Sequence, residues 1–409
     1  MTELRRTLGL GQCVFFGVGS ILGAGIYALL GKVAGEAGNM VWLSFFIASL
    51  TAFFTAFSYA ELSAAFPKTG GEYVYVRKAF GEKLGLVLGC GISLTSILSG
   101  ATVALGFAGY FSKLLEAPEL ISALGIIGLI FLVNASGIRE SSWVNTIFTL
   151  IEAGGLFFVV YSAWPSLGEA DFFELPEGGA HGIVSAAALG FFAYIGFEDI
   201  VKLAEEAKKP EKTIPKALFI SNGIVMIIYT LVAVCAVSAI SADQLGNSGS
   251  PLADVVDKRF GTAAVTAIVI IALFATANTI LSNMLSSSRV LLNIAQDQPR
   301  LKRFAAVSKK RRTPIAALLL VFALMCAFSL IGEIETVAQI ANLFIFGTFF
   351  FVNLSAVVLR VKEKNLERPF KIPLNIGNIP VPSLLGMLMT LALLGYNMHS
   401  LVVKGIAGS

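Results

Sequence analysis

The chain is a succession of apolar runs separated by short polar stretches. Eleven runs are long enough to cross a bilayer as helices. They predict spans at about 8–35, 40–66, 83–114, 119–136, 142–164, 182–205, 214–240, 262–292, 314–332, 335–360 and 380–404. The polar stretch from Ser241 to Arg259 predicts a short surface helix. Two spans interrupt their own pattern. The first holds Gly17-Val18-Gly19-Ser20-Ile21-Leu22-Gly23-Ala24-Gly25-Ile26, with four glycines where helix formers are expected. Each glycine costs a helix up to ~1 kcal/mol relative to alanine. An unpaired backbone group in hydrocarbon costs several times more, so a break is tolerable only where it faces protein or a polar cavity. The pattern therefore predicts a helix broken at mid-membrane, with freed backbone groups holding a small polar ligand. The sixth span reads Ala187-Ala188-Leu189-Gly190-Phe191-Phe192-Ala193-Tyr194-Ile195-Gly196-Phe197-Glu198-Asp199, with two glycines, an aromatic cluster and two carboxylates in mid-run.

The two interrupted spans lie five apart, as expected if spans 1–5 and 6–10 form two halves. A five-helix half has odd parity, so the second half is inverted in the membrane. The expected fold is an all-α polytopic membrane protein of two inverted five-helix repeats with broken helices 1 and 6, plus one extra C-terminal helix. Its parts are 1–164, 182–360 and a linker with accessory helix over 361–409. No residue-level repeat is visible, so the symmetry rests on hydropathy and position.

Composition agrees with this class. The 409 residues are 56% hydrophobic and 14% charged, with mean hydropathy +0.81. With an N-terminus on the cytoplasmic side, 25 of the 30 Lys and Arg residues fall in inside segments. The other five are Lys32, Lys113, Lys258, Arg259 and Lys404. That asymmetry follows the positive-inside rule and places the N-terminus inside. The odd number of spans puts the C-terminus outside a plasma membrane. Arg5-Arg6 before an apolar run imitates a signal peptide, but no clean cleavage site follows, and the run is read as the first span. The basic inner loops lack aromatic interleaving, so no nucleic acid partner is expected. The partners are a small molecule and the lipid bilayer, with the oligomeric state left open.

Candidate chemistry is sparse. The four cysteines (Cys13, Cys90, Cys235, Cys326) sit in apolar runs without a CxxC pair, and His181 and His399 are far apart. No metal site and no cofactor are expected, and the isolated histidines supply no catalytic pair for a membrane-embedded enzyme. The absence of GxxxxGK[ST] disfavours ATP-driven pumping. A channel would need a continuous polar path, and no rings of polar residues are seen. The half-helix starting after Gly23-Ala24-Gly25 would present free N–H groups and a positive dipole end, which suit a carboxylate. Carbonyls freed around Ile21 and from Phe192 to Ile195 suit an ammonium group. One pocket with both suits a zwitterion, with Phe192 or Tyr194 as a lid.

The chain resembles amino acid permeases of the amino acid–polyamine–organocation superfamily, and most closely the prokaryotic branch similar to cationic amino acid transporters. The first glycine-rich run and Phe191 to Glu198 carry the resemblance. So do Tyr59-Ala60-Glu61-Leu62, Phe66-Pro67-Lys68-Thr69-Gly70-Gly71-Glu72-Tyr73-Val74-Tyr75 and Ala204-Glu205-Glu206-Ala207-Lys208-Lys209-Pro210. Ile214-Pro215-Lys216-Ala217, Ser288-Arg289 and Arg368-Pro369-Phe370-Lys371-Ile372-Pro373 complete the set. It implies alternating access and secondary active amino acid transport, often proton-driven, with exchange or Na⁺-coupled symport as alternatives. A non-transporting membrane sensor is the alternative of a different class. The resemblance places the substrate carboxylate near Ser20, Ile21, Gly23, Ala24 and Gly25. It places the amine near the carbonyls of Ile21, Phe192, Ala193 and Ile195, with Phe192 as gate. Family members commonly have twelve or more helices, against the eleven read here.

The coupling candidates are Glu152 and Glu198. Proton-coupled relatives of this branch carry a lysine where this chain has Glu152, in mid-span. A carboxyl group there can be neutral and exchange a proton, stay charged beside Na⁺ or a cationic partner, serve as a structural hydrogen-bond donor, or contact the substrate directly. Glu198 either senses the site or pairs with Lys202 at i,i+4. Asp199 is expected to be interfacial, and Arg289 to snorkel to the headgroups or to lock helices in one state. Tyr73, Tyr75 and Arg77 are expected to shape a cytoplasmic lid.

Overall fold

In a computed structural model, residues 6–115, 117–248, 250–330 and 334–407 are described, and the protein is almost entirely helical. The α-helices are α1 (Leu10–Leu22), α2 (Ala24–Ala37), α3 (Val41–Ala65), α4 (Glu72–Phe80), α5 (Glu82–Leu115), α6 (Glu119–Ser136), α7 (Ile138–Ala163) and α8 (Gly179–Gly190). After them come α9 (Pro210–Ala239), α10 (Ala242–Asn247), α11 (Pro251–Phe260), α12 (Thr262–Asp297), α13 (Ile315–Ser329), α14 (Ile334–Lys362) and α15 (Val381–Ala407). A small hairpin of β1 (Asn375–Ile376) and β2 (Ile379–Pro380) precedes α15. Among the described residues, ten helical stretches are long and apolar enough to cross a membrane, and α13 is a shorter apolar helix. The protein is thus an all-α, multi-pass membrane protein.

The predicted spans map onto these elements with three refinements. The expected surface helix between Ser241 and Arg259 is two helices, α10 and α11, each started by a local signal. Ser241 and Gln244 form a capping box at α10, and Pro251 opens α11. The expected ninth span, 314–332, is the 15-residue α13, with residues 331–333 outside the described set. The first inner loop contains the helix α4.

The two interruptions are observed, and they are narrower than the glycine count implies. The first span breaks at one residue, Gly23, which ends α1 and starts α2. Gly17 and Gly19 stay helical. A Cβ on Gly17 would overlap Ile200, and one on Gly19 would overlap Thr149 and Asn278. Those two glycines therefore serve close packing between helices rather than the break. In the sixth span, α8 passes into a 3₁₀ turn at Phe191–Tyr194, extended backbone at Ile195, and Gly196 at φ +118°. It resumes as a 3₁₀ helix over Phe197–Leu203. Only glycine takes that φ without strain, and a Cβ there would also overlap the Ser20 carbonyl.

The broadest helix contacts are α5 along α12 and α3 along α9. One end of the bundle is tied by buried ion pairs. Glu61 of α3 takes Arg360 and Arg368 and accepts the Ile372 N–H at 2.8 Å. Glu206 holds Arg289 of α12 through two bonds, 2.9 and 3.2 Å. At the partly exposed edge of the same end, Arg77 of α4 pairs with Asp297. Leu8 bridges to Ala207, with Thr7 and Leu8 donating to the Glu206 carbonyl. The other end is closed by α10 and α11 over α2, with Trp42 Nε1 donating to the Phe172 carbonyl at 2.9 Å.

Candidate functional site

The breaks at Gly23 and at Ile195–Gly196 lie against each other. A Cβ on Gly25 would stand 2.8 Å from Ala193 Cα, so bare backbone meets bare backbone there. Several of the freed groups find a partner from a neighbouring helix, as a dry interior requires. Tyr229 of α9 donates to the Ile21 carbonyl at 2.7 Å and lies 3.2 Å from the Ala193 carbonyl, joining the two breaks. Thr279 of α12 accepts the Ala24 N–H at 3.2 Å and caps α2. Asn278 donates to the Gly19 carbonyl at 3.4 Å.

A cavity of about 50 Å³ opens between the breaks and α5, α12 and α14. All eight residues expected to contact substrate line it: Ser20, Ile21, Gly23, Ala24, Gly25, Phe192, Ala193 and Ile195. The wall that the sequence leaves unspecified is neutral. It consists of Ile92, Thr95, Ser96, Ser99 and Val103 from α5, then Thr279, Ser282 and Asn283 from α12, and Ile345 from α14. Asn283 donates to Ser99 at 3.2 Å and joins two of these helices. The signal for this wall was in the sequence. Thr279, Ser282 and Asn283 in the eighth span, and Thr95, Ser96 and Ser99 in the third, recur at three- and four-residue spacing in apolar helices. Tyr229, a lone tyrosine in an apolar span, gave no such signal.

The remaining expected site residues separate. Phe192 lines the cavity and is half-buried, whereas Tyr194 does not face it. The Tyr194 ring is fully buried edge-on against Tyr229, 5.1 Å between centroids, so of the two expected lid residues only Phe192 borders the cavity. Glu198 lines the cavity, and its Oε2 accepts the Gly196 N–H at 2.9 Å. The expected Glu198–Lys202 pair is replaced by Asp199–Lys202, 2.7 Å, because Lys202 turns toward the side chain three residues back. Asp199 is buried rather than interfacial.

Glu152 lies behind the break, outside the cavity lining. Its Oε2 accepts from Asn278 at 3.2 Å, and its Oε1 is buried without a hydrogen-bond partner. Asn278 also contacts Thr149 and accepts from Asn145 at 2.7 Å. The carboxyl group is therefore linked to the first break through one side chain. Arg289 is fully buried on Glu206 and does not snorkel. Tyr73 and Arg77 bond Asp297, at 3.0 Å for the tyrosine, and fix α4 across the end of α12. Among the described residues no group of His, Cys, Asp and Glu could hold a metal ion.

Apposed helix breaks over a small cavity, inside a multi-pass bundle, define the class of membrane permeases whose sites use bare backbone. The chain belongs to the amino acid permease family, whose model matches residues 8–403, within the amino acid–polyamine–organocation superfamily. It is 32% identical over 369 residues to an uncharacterised transporter of Mycobacterium tuberculosis (strain ATCC 25618 / H37Rv), covering 90% of this chain and 83% of that protein. It is 27% identical over 418 residues to the branched-chain amino acid permease of Bacillus subtilis (strain 168), covering 96% and 88%. Cationic amino acid transporter 4 of Homo sapiens is 31% identical over 392 residues, covering 89% of this chain and 61% of that protein.

Proposed function

We propose that the protein is a secondary active transporter of neutral amino acids, working by alternating access as a proton symporter. The observation that carries this reading is the meeting of the two breaks at one cavity. The leading N–H groups of α2 have no intrahelical acceptors and suit the substrate carboxylate. The carbonyls of Ile21 and Ala193, which Tyr229 now engages, retain lone pairs for the substrate ammonium. Both features address the part that all amino acids share. Selection then falls to the α5, α12 and α14 wall, which holds hydroxyl, amide and branched apolar groups but no charge. The two carboxylates that line the cavity are engaged within their own segment, Asp199 by Lys202 and Glu198 by the Gly196 N–H. A cationic side chain would therefore lose its water without gaining a free partner, and neutral side chains fit best.

Two inverted repeats, 1–164 and 182–360, account for equivalent helices packing on each other: the second on the seventh as α3 on α9, and the third on the eighth as α5 on α12. The α4 end carries most of the Lys and Arg and is the cytoplasmic end of a plasma-membrane protein. Its ion pairs then close the cytoplasmic side in this conformation. Glu152 is the coupling residue of this reading. Asn278 connects its carboxyl group to the Gly19 carbonyl, so a change of charge there reaches the substrate break directly.

The test is uptake of a panel of labelled amino acids into proteoliposomes, with Na⁺, K⁺ and pH gradients imposed separately. Accumulation of neutral amino acids driven by an inward proton gradient is expected. Uptake restricted to lysine and arginine, or driven only by Na⁺, would overturn the specificity or the coupling respectively.

A further inference from the structure

Four charged side chains lie buried together where the cavity meets the α4 lid. Glu198 and Asp199 line the cavity, Lys202 follows on the same 3₁₀ helix, and Glu72 begins α4. Lys202 Nζ donates to Asp199 Oδ1 at 2.7 Å and lies 4.0 Å from Glu72 Oε1. Glu198 is held by the Gly196 N–H. Glu72 Oε1 accepts from Tyr59 of α3 at 3.0 Å, while Glu72 Oε2 is buried with no hydrogen-bond partner. Tyr75, on the same helix as Glu72, also has a buried hydroxyl without a partner. The guanidinium groups at this end are committed elsewhere, Arg77 of α4 to Asp297, Arg289 to Glu206 and Arg360 to Glu61. Three carboxyl groups therefore share one ammonium. If all were ionised, the cluster would hold two uncompensated negative charges away from water. A neutral carboxyl group without a partner costs far less than a buried anion without one. Burial pushes the Glu72 carboxyl above the ordinary carboxylate range, against the pull of Lys202.

We propose that this cluster is a second proton-binding site, with Glu72 carrying the proton while the lid is closed and releasing it when α4 separates from the 197–203 helix. The proposal rests on the transporter reading above. Opening toward the cytoplasm wets Glu72, its carboxyl group ionises, and the proton leaves to water on that side. Lys202 stays with Asp199 throughout. Because Glu198 and Asp199 face the cavity and Glu72 faces the lid, the cluster joins substrate site and gate without passing through Glu152.

The experiment measures amino acid uptake into proteoliposomes, with α4 facing the lumen, as the internal pH is varied at fixed external pH. Wild-type uptake should slow as internal pH falls, since the proton must be released into the lumen. Glu72→Gln keeps the side-chain shape and the Tyr59 contact but is always neutral. It should lose the part of the internal-pH dependence that titrates with Glu72, keeping only the part carried by Glu152, while retaining counterflow exchange, which also reports that it folds. Lys202→Met removes the cation that favours ionised Glu72 and should move the dependence to higher internal pH. That shift decides the matter if Glu72→Gln does not fold. A wild type insensitive to internal pH, a Glu72→Gln protein with the wild-type profile, or a Lys202→Met shift to lower pH overturns the proposal while uptake itself stands. Failure of the wild type to move any amino acid under any gradient overturns the transporter reading instead.

Discussion

Gly25 is one of the points where the two broken helices meet closely, and adding one methyl group there tests whether their contact forms the substrate site. In Gly25→Ala the new carbon would stand 2.8 Å from Ala193 Cα and 3.1 Å from Ala193 Cβ. Carbon atoms rest at about 3.5–4.0 Å, so the two breaks must part by roughly 0.7 Å or more. Ala193 offers no flexible tip to move aside, and its carbonyl belongs to the proposed amine subsite. Overpacking of this kind costs about 1–3 kcal/mol. With tenfold in affinity per about 1.4 kcal/mol, substrate binding should weaken about 5- to 150-fold. The assay is equilibrium binding of a labelled neutral amino acid to purified protein in detergent. Gly23→Ala is the comparison, because its added methyl meets the Thr279 hydroxyl, the end of a side chain. Gly23→Ala should therefore be partly rescued by Thr279→Ala, and Gly25→Ala should not. Wild-type affinity in Gly25→Ala, or equal rescue of both by Thr279→Ala, would refute the idea that backbone contact between the breaks shapes the site.

Three further predictions follow from named contacts. Tyr229→Phe leaves the Ile21 and Ala193 carbonyls without their shared hydroxyl, and the loss of thermal stability in detergent should correspond to about 1–3 kcal/mol; full wild-type stability would show that the bridge contributes nothing. Glu206→Gln strands Arg289 in a dry site and should cost about 3–5 kcal/mol, whereas the apolar pair Arg289→Met with Glu206→Leu should recover most of it, as read from thermal unfolding. Glu152→Gln should abolish accumulation driven by a pH gradient yet keep counterflow exchange, and unchanged proton-driven accumulation would remove Glu152 from coupling.

The motifs that identify the family divide into two physical kinds. Gly23, Gly25, Phe192, Ala193, Ile195 and Gly196 line the cavity. Others are clasps: Glu61 in its Tyr59–Leu62 motif receives Arg368 and the Ile372 N–H from Arg368–Pro373, about three hundred residues away. Likewise Glu206 receives Arg289. A buried carboxylate needs a cation and donors, but that Glu61 and Glu206 are buried is itself a result of tertiary packing. Which cation serves which carboxylate depends on how helices pack, and no local pattern encodes that.

The sequence by itself determined the membrane class, the positions of the spans and the location of both interruptions. These follow from hydropathy and from glycine, properties that act within one helix turn. Together with the family resemblance it pointed to eight residues around the two breaks, all of which border the cavity. Only the tertiary structure decided that Gly17 and Gly19 serve packing, since that depends on Ile200, Thr149 and Asn278 arriving from other helices. It alone turned Tyr194 away from the cavity, gave Lys202 to Asp199 rather than Glu198, and set Glu72 beside them. Charge partners and cavity walls are long-range facts: they come from which helix faces meet, and hydrophobic periodicity says which face is buried but not against whom.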